Sequence, residues 1–117
     1  MSRMKPVVLV LILCALIAVA TSIRAYWVQD GVAVCTATGY PAYQEYPTIT
    51  SDGAGGAVIA WQDYRSGDYD IYVQCVDAAG NINWTTDGIA VCTATGNQEN
   101  PDISPYGIGG VIMVWED

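Results

Sequence analysis

Trp27-Val-Gln-Asp-Gly-Val-Ala-Val-Cys-Thr-Ala-Thr-Gly39 returns as Trp84-Thr-Thr-Asp-Gly-Ile-Ala-Val-Cys-Thr-Ala-Thr-Gly96, identical at 10 of 13 positions and displaced by 57 residues. A second block follows each copy. Gln44 to Asp63 returns as Gln98 to Asp117, displaced by 54 residues with 9 of 20 positions identical. The three-residue difference falls in the connector, which is Tyr40–Tyr43 in the first copy and Asn97 alone in the second. A period in the mid-fifties marks a repeat architecture, in which each unit relies on its neighbours to cover its apolar faces. The chain therefore divides into a leader (1–25), a first unit (26–83) and a shorter second unit (84–117).

The leader reads as an export signal. Arg3 and Lys5 form a positive head, Val7 to Ala20 is an unbroken apolar run, and small residues follow, with cleavage after Ala20 or Ala25. An uncleaved membrane anchor is the competing reading, but a spanning helix wants about 20 apolar residues. A lipid anchor at Cys14 is disfavoured by Ile12-Leu13, where a small residue belongs. The expected location is secreted, extracellular or periplasmic, with membrane contact only through an uncleaved leader.

Beyond residue 25 Arg65 is the sole cation against 12 carboxylates, and the chain holds no His. Such an acidic surface repels phosphate backbones, so nucleic acid is excluded as a partner. Nucleophilic triads fail for lack of His, and no spaced Cys or His pairs suggest zinc. Cys35 and Cys92 are repeat equivalents. They should lie too far apart for a disulfide, as small buried residues.

Strand patterns fill the remainder: Val32–Cys35, Tyr46–Ser51, Ala57–Gln62, Asp70–Val76, Ile82–Thr85, Ile89–Cys92, Pro101–Ser104 and Val111–Trp115. Turns at Asp52–Gly56, Asp63–Tyr69, Asp77–Asn81 and Gly107–Gly110 separate them, which predicts an all-β antiparallel repeat. Ala57-Val-Ile-Ala-Trp61 and Val111-Ile-Met-Val-Trp115 are apolar on both faces, as strands covered from both sides are. About four strands per unit, one of them doubly covered, favours β-propeller blades over a sandwich. One full unit and part of another fall short of the four blades needed to close a ring. The expectation is a fragment of a longer protein, or a ring assembled from several chains. Partners would then include further repeats of the same chain or copies of itself.

Pro47-Thr-Ile-Thr-Ser-Asp-Gly53 and Pro101-Asp-Ile-Ser-Pro-Tyr-Gly107, followed by Ala57–Trp61, Arg65, Gly67, Ile71 and Tyr72, resemble the WD40-like propeller repeat of TolB-type periplasmic proteins. The Gly55-Gly56 insertion and the additional Trp-x-x-Asp-Gly segment make each unit longer than that repeat. In this the chain is more similar to long propeller-type repeats of large secreted bacterial proteins. The resemblance implies architecture and says almost nothing of activity. Ser51-Asp52-Gly53 through Trp61 has the residue types of a sialidase Asp-box at the wrong spacing.

Asp63, Asp68 and Asp70 share one loop and invite a calcium reading. Their spacing is not that of an EF-hand, and capping of turns by bonds to nearby backbone N–H groups is the preferred reading. Glu45 and Glu99 recur at equivalent places, which is architectural behaviour and not that of a glycosidase pair. The four Trp, also at repeat-equivalent places, should pack between units. Tyr40, Tyr43, Tyr46, Tyr64 and Tyr69 are the candidates for stacking on a carbohydrate or touching a protein partner. The sequence thus assigns no catalytic residue, cofactor or metal ligand. The leading expectation is a non-catalytic binding or scaffold module of a secreted or cell-surface protein. The alternatives are the opening blades of a propeller enzyme such as a glycoside hydrolase, or a periplasmic TolB-like interaction module.

Overall fold

The computed structural model describes residues 28–39, 41 and 43–117; the leader expected at 1–25 lies outside them, as do Trp27 and Tyr40. Six strands follow in order: β1 (Gln44–Ser51), β2 (Ala57–Asp63), β3 (Asp70–Val76), β4 (Ile89–Cys92), β5 (Glu99–Tyr106) and β6 (Gly110–Glu116). All pairings are antiparallel, and the described residues contain no helix, so the fold is all-β. β1 to β4 form one four-stranded meander, and β5 with β6 forms a second sheet.

The turns follow from their residues. Asp52 Oδ1 accepts from the N–H groups of Ala54 and Gly56, at 2.7 and 2.8 Å, and closes the β1–β2 hairpin. Asp77 does the same for Ala79 and Asn81, both at 2.9 Å, after β3. Short acids in such turns mimic a backbone turn and free the strands to run straight to the bend. Gly88 is needed for a different reason. A Cβ there would lie 2.6 Å from the Trp61 ring and 2.9 Å from the Val73 carbonyl, so the chain can cross the sheet only without a side chain.

The repeat extends to the backbone. Asp30 and Asp87, one repeat apart, both adopt positive φ, of 68° and 64°. Tyr46 and Asn100 form a second such pair, at 50° and 53°, each inside the register shift of its hairpin. Asn tolerates this left-handed conformation, whereas a bulky Tyr does so only under strain. Tyr46→Asn, which copies the residue of the second unit, is expected to stabilise the chain by about 1 kcal/mol. Urea denaturation of the two proteins side by side checks this; an unchanged or lower midpoint would refute it.

Packing is layered. Val58 and Ala60 of β2 with Val73 and Cys75 of β3 present one face of the first sheet. Ile103 of β5 seals that face, and Val111 and Met113 of β6 pack around it. The opposite face, with Ile59 and Trp61, meets Val34 and Cys35 of the segment before β1. β2 is therefore covered on both sides, as its continuous apolar run implies. A buried clip joins the two sheets: Gln62 Oε1 on β2 accepts from the Asn100 N–H at the β5 bulge, at 2.9 Å.

Three expectations need correction. Val32–Cys35 is not a strand, although its repeat Ile89–Cys92 is. The latter pairs with β3, whereas the former pairs with no strand among the described residues and lies against Pro47, Ile59 and Trp61 on the face of the sheet. Ile82–Thr85 contributes a single bridge, Val76 to Ile82, because Gln74 takes over the backbone beyond it. The Gln74 amide donates to the Thr85 carbonyl at 2.9 Å and accepts from the Trp84 N–H at 3.1 Å. Trp84 is exposed and Trp115 only half-buried, so of the described Trp only Trp61 is a fully packed ring. Trp84 is held through its backbone and not through its indole.

Candidate functional site

One end of the first sheet gathers the start of β1, the end of β2, the start of β3 and the loop Tyr64–Tyr69 between the last two. Antiparallel register places Asp63 opposite Asp70, Trp61 opposite Tyr72 and Gln44 opposite Asp63. Two side-chain arrangements grow from this end, one buried and one exposed.

Asp63 is the centre of the buried arrangement and has no exposed surface. Its carboxylate pairs with the Arg65 guanidinium through both oxygens, the Nε contact being 2.9 Å. It also accepts from the Arg65 backbone N–H at 3.0 Å and the Trp61 indole N–H at 2.9 Å. Burial alone would raise the Asp63 pKa. The hydrogen bonds from Arg65 and Trp61 overcome it and hold the carboxyl below its usual value. Arg65 stacks 3.9 Å over the Tyr72 ring and donates to the Asp87 carbonyl at 3.0 Å. It also reaches the Cys35 sulfur at 3.3 Å. Asp87 in turn accepts from the Thr36 N–H at 2.6 Å. The group thus ties β2 to the segment before β1 and to the turn before β4.

This arrangement is structural in its chemistry. Burial pushes the Cys35 thiol up, against the Ala37 N–H and Arg65, so it is no ready thiolate. Of the three loop aspartates, Asp63 already holds a cationic side chain, Asp70 is buried and accepts from the Ser66 hydroxyl, and Asp68 is exposed. The structure does not bring them to one point. Among the described residues no cluster of His, Cys, Asp or Glu is arranged to hold a metal. Cys35, Cys75 and Cys92 are all free thiols; Cys75 is buried, while Cys35 and Cys92, expected to be buried, are only partly so.

The exposed arrangement is aromatic. The Tyr64 ring meets the Tyr69 ring edge-on at 4.9 Å and the Tyr43 ring at a tilt, 6.4 Å away. Tyr69 donates its hydroxyl to Glu45 at 2.8 Å, which pushes its pKa up to about 12. The second unit fixes the loop: Asn97 accepts from the Tyr69 N–H at 3.1 Å, and the Gln98 N–H donates to the Tyr69 carbonyl at 2.7 Å. Tyr43 and Tyr46 are the most open of the described connector tyrosines. The structure therefore brings Tyr43, Tyr64 and Tyr69 together and adds Glu45, whose partnership with Tyr69 the sequence did not announce. Its only signal is the alignment of Glu45 with Gln62 across β1 and β2, which puts it beside the loop.

The tyrosine group presents a surface for contact. It offers ring faces, hydroxyls and the Glu45 carboxylate on a braced loop, with the Glu99 charge also acting on Tyr69. No protein-family model, curated protein or solved structure matches this chain.

Proposed function

We propose that the chain is a non-catalytic binding and scaffold repeat module of a secreted or cell-surface protein, its sheets stacked as successive propeller-type blades. The blade reading is supported by the four-stranded meander and by the way the second unit's hairpin caps the first unit's sheet. The long-unit resemblance to secreted bacterial repeats and the leader at 1–25 supply the proposed location.

The observation that carries the binding role is the Tyr43–Tyr64–Tyr69 group, set at a sheet end outside the packing between sheets. Rings of this kind stack on the C–H faces of sugars, while their hydroxyls and the Glu45 carboxylate suit sugar hydroxyls. A net charge of −8 disfavours anionic ligands, so the fitting class is a neutral polysaccharide.

Affinity electrophoresis through gels containing neutral polysaccharides tests this. Tyr43→Ala with Tyr64→Ala is expected to weaken retardation about tenfold, the loss of one contact hot spot. Tyr43→Ala alone should leave the urea midpoint within about 0.5 kcal/mol, as exposed substitutions do. Equal migration of wild type and variant in every polysaccharide would refute the reading.

A further inference from the structure

The two units share their sequence but not their burial, and the difference has a direction. Val58 and Ala60 are 4% and 0% exposed, whereas their repeat equivalents Ile112 and Val114 are 51% and 60% exposed. On the opposite face the order reverses: Ile103 is 6% exposed, and its equivalent Ile49 is 66% exposed. One internal interface explains the buried set. The face of β2 and β3 is sealed by the Ile103 face of β5 and β6. The exposed positions lie on the copies of those two surfaces: Ile112 and Val114 on one, and on the other Ile49, beside Ile59 and Trp61, which Val34 and Cys35 partly cover. Among the described residues one such interface is made, while Ile112 and Val114 on the copy of one surface and Ile49 on the copy of the other are exposed.

We propose that a second copy of this chain docks head-to-tail, its exposed Ile49 and the groove that Ile49 shares with Val32 and Val34 seating on the Ile112 and Val114 face of the first. The partner is specified by repetition: the open β6 face is a copy of the face that the chain already covers with its own repeat. The bulge clip repeats as well. Gln62 Oε1 accepts from Asn100 N–H inside the chain. Their equivalents are the Glu116 carboxylate of one copy and the Tyr46 N–H of the next. A carboxylate in this role makes a stronger, charge-assisted bond than the amide does. The apolar grooves lined by Val32, Val34, Ile49 and Ala57, and by Pro47, Ile59 and Trp61, lie on the receiving face. A contact between unlike faces propagates, closing into a ring if the rotation per copy allows and otherwise growing as a filament. The proposal extends the stacked-blade reading to contacts between chains; it is independent of the tyrosine group, whose sugar binding can stand or fall separately.

The test uses the full chain with a photo-crosslinking benzoylphenylalanine in place of the exposed Val114, mixed with isotopically heavy full chain and mapped by mass spectrometry. The expected product joins residue 114 of the light copy to β1 or β2 of the heavy copy. Its yield falls at least tenfold when the heavy chain carries Ile49→Lys. It persists when the heavy chain carries Ile112→Lys, because that copy's own β6 face is not used. Screening the mutual repulsion of two acidic chains with about 0.5 M salt should raise the yield. Three outcomes overturn the proposal: cross-links that join β6 to β6 or to the leader, cross-links that survive Ile49→Lys, and cross-links confined within one chain. Both substitutions lie at exposed positions, so neither result can be ascribed to misfolding.

Discussion

Arg65→Ala is expected to lower stability by about 3 kcal/mol at neutral pH, because it strands a fully buried carboxylate. Asp63 would keep the Trp61 indole and its backbone donor but lose the guanidinium that occupies both its oxygens. The same change removes the stack on Tyr72 and the bond to the Asp87 carbonyl, which hold the turn before β4 against the sheet. Arg65 keeps some contact with water, which places the figure at the lower end for a broken buried pair. Arg65→Lys retains the charge but not the planar fork, so its loss should be intermediate. Urea titrations followed by Trp fluorescence give the numbers. A loss below about 1 kcal/mol would reduce the pair to an ordinary surface bridge.

The acid limb carries the sign of the same interaction. In the wild type the folded-state pKa of Asp63 is depressed. Its contribution is complete above the unfolded carboxyl value of about 3.9 and disappears as pH falls through the lower folded value. Without Arg65 the buried carboxyl is desolvated and short of donors, so its folded pKa moves up and its cost appears only as pH rises. The difference between the two proteins should therefore be widest near pH 7 and shrink below pH 4. A difference that stays constant with pH would mean that Arg65 acts through packing alone.

Much of this architecture is legible before any coordinates, and the places where it is not share one cause. The ends of β3 and β4 coincide with their apolar runs, since Asp and Gly turns bracket them. The doubly apolar run at Ala57–Trp61 has cover on both faces, whereas its repeat Val111–Trp115, expected to be the same, leaves Ile112 and Val114 exposed among the described residues. Local pattern could not say that Val32–Cys35 stays out of a sheet while its near-copy Ile89–Cys92 joins one. The two have the same propensity, and only the second pairs, along the edge of β3. Pairing, not preference, decides.

The site was legible in part for the same reason. Asp63, Asp68 and Asp70 are neighbours in sequence, yet the strands bury Asp63 and Asp70 opposite each other with separate partners while the turn leaves Asp68 exposed. The clue that did exist was arithmetic: one cation beyond residue 25, next to a carboxylate at the end of an apolar strand. The buried glutamines were invisible as clips. Gln62 and Gln74 read as polar interruptions of apolar runs, and their partners Asn100, Thr85 and Trp84 are fixed only by tertiary crossing. The tyrosine group needed the register of β1 on β2 to bring Glu45 beside Tyr69.

Ile103→Ala against Ile49→Ala is the sharpest measure of how the sheets depend on one another. The two isoleucines occupy the same place in the repeat, so propensity and chemistry cancel in the comparison. Ile103 closes a cluster with Val58, Ala60, Val73 and Cys75, and its truncation leaves a cavity between sheets. The expected cost is about 3 kcal/mol, within the range for a buried Ile. Ile49 faces solvent, and its truncation should cost no more than about 0.5 kcal/mol in dilute, unassociated protein. Because β5 and β6 form only a hairpin, much of the Ile103 effect should appear as local undocking before global unfolding. Hydrogen exchange then shows β5 and β6 amides losing protection together, while those of β2 and β3 lose less. Equal costs for the two substitutions would mean that the hairpin contributes nothing to the first sheet, and the stacked-unit reading would fail with it.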